Sequence, residues 1–184
     1  MRFVCSILWL AVGLNIVAPG QSADLVFDDL EKIPRHPLEP GDKVASVLVF
    51  YGQDCPIANG YAPEINRLWR GHTNFAFFIV QVDPELTIAA AKEHARKYDL
   101  RPPVLLDPKH RLVKLAKATV TPEAVVLGKK GQILYRGRID DLYVALGKKR
   151  AAVTERNLRD ALDALAAGKA VRKSETKAIG CLIQ

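Results

Sequence analysis

The sequence predicts a mixed α/β domain in which helices cover both faces of one central sheet. Two observations lead to this fold class. Short apolar runs rich in β-branched residues alternate with helical spacings of apolar residues, as in parallel strands joined by helices. A glycine-containing turn between two later strands gives an antiparallel hairpin, and a last helix follows. The predicted order β-α-β-α-β-α-β-β-α is a three-layer arrangement around a mixed sheet.

Each element has its own signal in the sequence. The buried apolar runs predict strands over 44–50, 75–80, 103–106, 123–127 and 132–136. Helical spacing predicts helices over 56–70, 86–98, 110–118 and 154–167. In the first helix, Pro63 is expected either to bend the helix or to mark its first turn. In the last one, Thr154 is the expected N-cap and Gly168 the end.

Length and composition indicate one ordinary globular domain. The 184 residues are enough for one sizeable core, and about half of them are apolar. The net charge of +7 would suit an acidic partner. The basic residues are scattered, however, except over 147–184, which holds nine basic and four acidic residues. Aromatic residues do not interleave with them, so we predict a basic surface and no nucleic-acid partner.

The N-terminus predicts export. A basic start at Arg2, an apolar stretch and the small residues Ser22 and Ala23 are typical of a signal peptide over 1–23. An uncleaved membrane anchor is the alternative, although the apolar stretch is short for a span. We therefore expect a periplasmic or secreted protein. Its predicted organisation is a lead-in over 24–43, a domain over 44–168 and a basic tail over 169–184.

Cleavage would leave two cysteines, Cys55 and Cys181. They form no C-x-x-C pair and belong to no Cys/His group with zinc spacing, so neither a metal site nor a cofactor is predicted. The predicted position of Cys55, after a buried strand and at the start of a helix, favours a reactive thiolate. Asp54 beside it opposes this. The alternative is an inert, buried cysteine.

A strand, a turn and Cys55-Pro56 at a helix start, followed by Thr121-Pro122 before the strand of a hairpin, resemble the thioredoxin superfamily, and within it the redoxin group of alkyl hydroperoxide reductases and thiol-specific antioxidant proteins. The chain also resembles a set of exported bacterial proteins with five shared motifs: Cys-Pro-Ile-x-Asn at 55–59, Tyr-Ala-Pro-Glu at 61–64, Thr-Pro-Glu-Ala at 121–124, Tyr-Arg-Gly-Arg-Ile-Asp-Asp at 135–141 and Gly-Cys-x-Ile at 180–183. The resemblance implies a thioredoxin-like three-layer α/β/α fold. It also implies that Pro122 is cis and packs beside Cys55, where the backbone grips an extended or disulfide partner.

The chain departs from the best-understood members of that superfamily. Ala58 stands where thioredoxins carry their second cysteine. Gly52 stands where peroxiredoxins carry a threonine or serine that orients peroxide. Asn59 stands where copper chaperones of the Sco type carry a second cysteine. A third copper ligand from His94 or His110 is not expected, because both fall in patterns typical of a helix surface.

Cys181 is the remaining partner for Cys55. It is expected either to resolve an oxidised Cys55, to form a structural or intersubunit disulfide, or to stay free. The candidate catalytic residues are Cys55 and Cys181. The candidate partner-binding residues are Pro56, Asn59, Thr121, Pro122 and Arg138, the last in a charged run that also suits a simple salt-bridge cluster.

Two functions follow as hypotheses. The first is an exported thiol oxidoreductase acting on protein thiols, disulfides or peroxide. The second is a non-catalytic binding or copper-handling module, with a membrane-associated respiratory complex as a conceivable partner. The oligomeric state is left open.

Overall fold

The computed structural model describes residues 25–184, and the predicted signal peptide lies outside these residues. In chain order the elements are β1 (Phe27–Asp28), β2 (Pro34–Arg35), β3 (Ser46–Tyr51), α1 (Pro56–Gly71), β4 (Ala76–Gln81), α2 (Ile88–Lys97), β5 (Val104–Leu106), α3 (Arg111–Ala116), β6 (Val120–Thr121), β7 (Glu123–Leu127), β8 (Ile133–Gly137), β9 (Tyr143–Ala145), β10 (Lys148–Lys149), α4 (Asn157–Ala166) and β11 (Cys181–Leu182).

The main sheet has five strands in the order β5-β4-β3-β7-β8. β3, β4 and β5 are parallel to one another, whereas β7 is antiparallel to both β3 and β8. This confirms the predicted mixed sheet. The parallel half arises because helices connect its strands, and the antiparallel half because the short turn at 128–132 connects β7 to β8. β6 lies outside this sheet and pairs with β11.

The central strand β3 is buried on both faces, as its unbroken apolar run predicts. Val47, Val49 and Tyr51 belong to the larger core, which also contains apolar side chains of α1, α2 and α4. Leu48 and Phe50 point to the second core, which α3 covers. The alternation follows from the two-residue period of a strand. The result is a three-layer α/β/α arrangement.

Proline and aspartate determine how two helices begin. Pro56 is the first residue of α1 and Pro63 lies inside the helix, so Pro63 does not mark the first turn. The buried side chain of Asp107 accepts the backbone N–H groups of Arg111, Leu112 and Val113 at the start of α3, at 2.7, 2.8 and 3.1 Å. These are donors that a helix leaves unpaired, so the carboxylate fixes where α3 begins.

The last helix begins later than predicted. Thr154 is not its N-cap, because its backbone N–H and hydroxyl both donate to the carboxylate of Asp141, at 2.8 and 2.5 Å. The helix α4 begins at Asn157 and gives way to Gly168, whose φ is +67°. The prediction was wrong because Thr154 donates to a carboxylate outside the helix, that of Asp141, instead of capping the helix.

Three short pairings were not predicted. The lead-in contains the β1–β2 pair, and Phe27 is buried in the second core. β9 and β10 form a small hairpin before α4. β11 gives the basic tail a fixed place beside β6. Among residues 25–184, no helix is both long enough and apolar enough to cross a membrane.

Candidate functional site

Cys55 lies where the chain passes from the sheet into α1. After β3 the chain turns back on itself, and the backbone N–H of Cys55 donates to the carbonyl of Gly52 at 3.1 Å. Cys55 is the N-cap residue of α1 and precedes Pro56, whose fixed φ and missing N–H suit the first helical position. The cysteine therefore lies at the positive end of the helix dipole, as the sequence predicts.

The loop before β7 brings Thr121 against this cysteine. The Thr121–Pro122 peptide bond is cis, as the resemblance implied. The thiol of Cys55 donates to the backbone carbonyl of Thr121, with the sulfur 3.0 Å from the oxygen. A side chain at position 52 would lie only 3.0 Å from Oγ1 of Thr121, so Gly52 permits the close approach of the two loops.

The C-terminal tail brings the second cysteine to the same place. β11 is antiparallel to β6, with Cys181 opposite Thr121 and Leu182 opposite Val120. The Sγ atoms of Cys181 and Cys55 lie 2.7 Å apart, and both residues are free thiols in this structure. A covalent disulfide would be shorter, at about 2.05 Å, so only a small movement separates the thiol pair from a bond.

The surroundings of the two sulfurs set their pKa values apart. Burial acts to raise the pKa of Cys55, but hydrogen bonds from the thiol of Cys181 and the backbone N–H of Ala58 outweigh it and lower that pKa. Burial and the proximity of Cys55 raise the pKa of Cys181. The carbonyl of Thr121 opposes ionisation of Cys55, because it accepts a hydrogen bond from the neutral thiol and has none to donate to a thiolate. Cys55 is nevertheless the thiol of the pair that ionises first.

A buried polar cluster lies behind the Cys55 turn. The Nε2 atom of His94 lies 2.9 Å from Oδ1 of Asn59, which also accepts the hydroxyl of Tyr51 at 3.1 Å. The Asn59 side chain in turn donates to the backbone carbonyl of Gln53 at 2.8 Å. Gln53 belongs to the turn that carries Cys55. The cluster therefore ties that turn to α1 and α2.

The proton on the His94 ring follows from its other neighbour. The Nε2 amide of Gln81 lies 3.2 Å from Nδ1 of His94 and can only donate, so Nδ1 accepts and Nε2 carries the proton. Burial lowers the pKa of His94, which keeps the ring neutral. The prediction that His94 lies on a helix surface was wrong, since the residue is 8% exposed.

Sequence reasoning missed two residues that shape the site. His94 resembled a surface residue because Ala91 is the only other buried residue of α2. Glu123 was treated only as part of a strand. Its buried carboxylate accepts the backbone N–H of Thr119 at 2.8 Å and so holds the loop that carries Thr121. The role of His94 has no local signal, because Asn59 and Gln81 are distant in sequence. The partner of Glu123, by contrast, lies only four residues before it.

Of the other candidate residues, Pro56 and Asn59 line a cavity of about 410 Å³ against α2. Arg138 lies away from the cysteines. Its guanidinium bonds to Asn157 at 2.7 Å and to Glu155 at 2.8 Å, at the start of α4. The structure thus supports the salt-bridge interpretation of Arg138. His110 points its ring at the carbonyl of Val82, 2.6 Å away.

A shallow groove of about 320 Å³ opens beside the cysteine pair. Its walls are the 52–55 turn, the loop at 82–84, Thr121 and the last residues of the tail, 181–184. Among residues 25–184, no group of three or more potential metal-ligating side chains is close enough to hold an ion. The chemistry that these residues offer is that of two thiols.

No family model and no curated protein matches the sequence. Solved structures do match. An uncharacterised conserved protein from Geobacillus kaustophilus is 24% identical, with a TM-score of 0.74 over 86% of this chain and 87% of that one. A hypothetical protein from Sinorhizobium meliloti 1021 is 26% identical, with a TM-score of 0.71 over 88% and 90%.

A third similar structure is the pneumococcal exposed lipoprotein thioredoxin from Streptococcus pneumoniae, 18% identical, with a TM-score of 0.55 over 62% of this chain and 87% of that one. The chain has a thioredoxin-like fold. Two other similar structures are a secreted disulfide oxidoreductase from Mycobacterium tuberculosis and a thiol-disulfide oxidoreductase from Bacteroides fragilis. At these identities the likeness establishes the fold, and the activity has to be argued from the cysteine pair.

Proposed function

We propose that this protein is an exported thiol-disulfide oxidoreductase that uses Cys55 as the nucleophile and Cys181 as the resolving thiol. The observation that carries the proposal is the 2.7 Å separation of the two sulfurs, which lie 126 positions apart in the sequence but meet at the start of α1. Export is supported by the pattern of residues 1–23.

The proposed reaction is two thiol exchanges. The Cys55 thiolate attacks one sulfur of a partner's disulfide, forming a mixed disulfide and releasing the partner's other sulfur as a thiolate. The Cys181 thiol then gives its proton to the released partner thiolate and attacks Sγ of Cys55, forming the Cys55–Cys181 disulfide and releasing the partner's first sulfur as a thiolate. The partner gains two electrons and the protein loses two. The reverse sequence oxidises a partner dithiol, so the direction depends on the relative reduction potentials.

The substrate class that fits is a protein thiol or disulfide. Gly52 supplies no hydroxyl at the position where peroxide-reducing members of the redoxin group have one. A serine or threonine there would place its Cβ 3.0 Å from Oγ1 of Thr121. The lowered pKa of Cys55 supports the nucleophilic role, and the raised pKa of Cys181 keeps the second thiol protonated until the exchange begins.

Mass spectrometry and thiol trapping test the proposal. After mild oxidation the wild-type protein should lose two hydrogens and resist alkylation at both cysteines, and reductant should reverse both changes. The Cys181→Ser variant should accumulate mixed disulfides at Cys55 because nothing resolves them. The Cys55→Ser variant should accumulate none. Equal trapping by all three proteins would refute the assignment.

A second candidate is a binding module without catalysis. The burial of Cys55, which is only 3% exposed, favours it. It predicts that Cys55 remains unreactive towards small disulfides in the folded protein, whatever residue stands at position 181. The same trapping experiment separates the two candidates.

A further inference from the structure

The tail covers the thiol that the proposed reaction needs. Cys55 is 3% exposed, and its sulfur is enclosed between the carbonyl of Thr121 and the thiol of Cys181. A partner protein cannot bring a disulfide to a sulfur placed in this way. Since Cys181 belongs to β11, the segment that resolves the reaction also blocks the approach of the substrate.

The hydrogen bonds between β11 and β6 are made by the backbone. Cys181 pairs with Thr121 and Leu182 with Val120 in an antiparallel ladder, and the N–H of Ile183 donates to the carbonyl of Thr119 at 3.0 Å. The side chain of Leu182 is 77% exposed. Because ladder bonds do not depend on side chains, another extended segment can form them equally well.

The side chains of the tail alternate across this pairing. Ile179 and Cys181 pack against the larger core, and Ile183 packs against the second core. Gly180 lies directly on the backbone of Thr121, where a Cβ would collide with the carbonyl. An extended segment that takes the place of the tail therefore needs a glycine before its cysteine and apolar residues two positions to either side.

The tail is held separately further upstream. Thr176 donates its N–H to the carbonyl of Arg136 at 3.0 Å, and the N–H of Arg136 donates to the carbonyl of Ser174 at 2.9 Å. The hydroxyl of Thr176 bonds to the Tyr135 hydroxyl at 2.8 Å. These contacts hold residues 174–176 independently of β11. Segment 177–184 can therefore leave the groove while the rest of the tail stays in place.

We propose that β11 is a built-in occupant of the β6 edge that exchanges with an extended cysteine-containing segment of the partner. The proposal rests on the thiol chemistry above and adds how the substrate gains access. The tail leaves, the partner segment pairs with β6 and its disulfide reaches Cys55. Return of the tail then expels the partner segment and brings Cys181 to the mixed disulfide, so that release of the peptide and release of its sulfur occur in one step.

The exchange has a redox consequence. Once the Cys55–Cys181 disulfide has formed, a covalent bond fixes β11 on β6, and the edge is closed to peptides. Only the dithiol form can therefore accept a partner's disulfide by strand exchange.

The test uses the Cys181→Ser chain, in which Cys55 is the only thiol of the two, and a synthetic peptide that copies residues 178–184. The cysteine of the peptide is activated as a mixed disulfide with thionitrobenzoate. Attack by Cys55 forms the protein–peptide disulfide and releases coloured thionitrobenzoate, whose absorbance gives the rate. A second peptide has valine in place of the glycine before its cysteine.

Adding Gly180→Val to this chain should undock β11 and raise the rate with the first peptide roughly tenfold, because the competing strand is gone. The valine peptide should remain slow with every chain. Gly71→Val is the matched control, since nothing lies near that glycine, and it should leave the rate unchanged. Equal rates for the Gly180→Val and Gly71→Val chains would overturn the proposal.

Hydrogen exchange tests the same movement without the Gly180→Val substitution. In the Cys181→Ser chain, the amide of Ile183 should exchange roughly tenfold faster than the amide of Thr176, because only the former opens when β11 leaves. Similar exchange rates would contradict strand exchange. A small aromatic disulfide distinguishes failure of strand exchange from failure of the thiol chemistry. If it too fails to modify Cys55 in the Gly180→Val chain, the proposed nucleophilic role of Cys55 is wrong.

Discussion

Two segments of the C-terminal tail pair with the backbone of the domain, and the two contacts are built from different groups. At Gly137, residues 174–176 are held by side chains as well as backbone: Thr176 bonds to Tyr135 and to the N–H of Arg138, and Glu175 forms an ion pair with Arg136. At Thr121, β11 is held by a two-residue ladder, and Leu182 projects into solvent.

The difference separates an anchor from an exchangeable strand. A contact that depends on particular side chains cannot be formed equally well by another segment, because a segment without those side chains would leave polar groups of the domain unpaired. A contact made by the backbone accepts any extended chain that fits its shape. The side-chain contacts at Gly137 therefore fix where residues 174–176 lie, whereas the backbone ladder at β6 is the contact that we propose to exchange. Four predictions test how far this contrast extends.

Gly137→Ala should be the most damaging change to the anchor. Gly137 has a φ of +144° and lies against the backbone of Thr176, so an alanine there is both strained and in collision. We expect the free energy of unfolding to fall by about 2–4 kcal/mol in urea denaturation. Gly131→Ala is the matched control: its φ is +75° with open space around it, and it should cost only about 1 kcal/mol.

Thr176→Val should weaken the anchor by less. The hydroxyl accepts the N–H of Arg138 at 3.0 Å and bonds to the Tyr135 hydroxyl, and valine removes it at nearly constant volume. The expected loss is about 1–2 kcal/mol in the same measurement, because a partly buried donor loses its acceptor. Thr176→Ser keeps the hydroxyl and should recover most of the loss. If both variants were as stable as the wild type, the anchor would not depend on side chains.

Acid should weaken the fold through His94 rather than through either tail contact. Burial lowers the pKa of His94 in the folded protein below its value in the unfolded chain, about 6.5. The unfolded chain therefore binds more protons, so stability is full above about pH 6.5 and declines as the pH falls below it. His94→Gln should flatten that decline in thermal melts from pH 7 to 5, whereas Thr176→Val should leave its slope unchanged.

Leu182→Ala should have the smallest effect. The side chain is 77% exposed and the ladder that holds β11 is backbone. The free energy of unfolding should change by no more than about 0.5 kcal/mol. A loss as large as that of Thr176→Val would mean that side chains hold both contacts, and the contrast between them would disappear.

Much of the fold could be predicted because its signals are local. The strand at 123–127 has the predicted bounds, and β3 and β4 fall within a residue or two of theirs, since unbroken apolar runs belong in a buried sheet. The position of Cys55 at the start of α1 follows from the same pattern. Thr154 and His94 were misplaced because their hydrogen-bond partners, Asp141 and Asn59, are distant in sequence.

By itself, the sequence determined the order of strands and helices, the place of Cys55 at a helix start and the lack of a nearby second cysteine. Only the tertiary structure decided where Cys181 lies. The tail reaches Cys55 through ladder bonds and a close glycine contact, and backbone bonds leave no pattern of residue types by which a partner strand can be recognised. The pairing of the two thiols, and the covering of one by the segment that carries the other, are consequences of the folded chain.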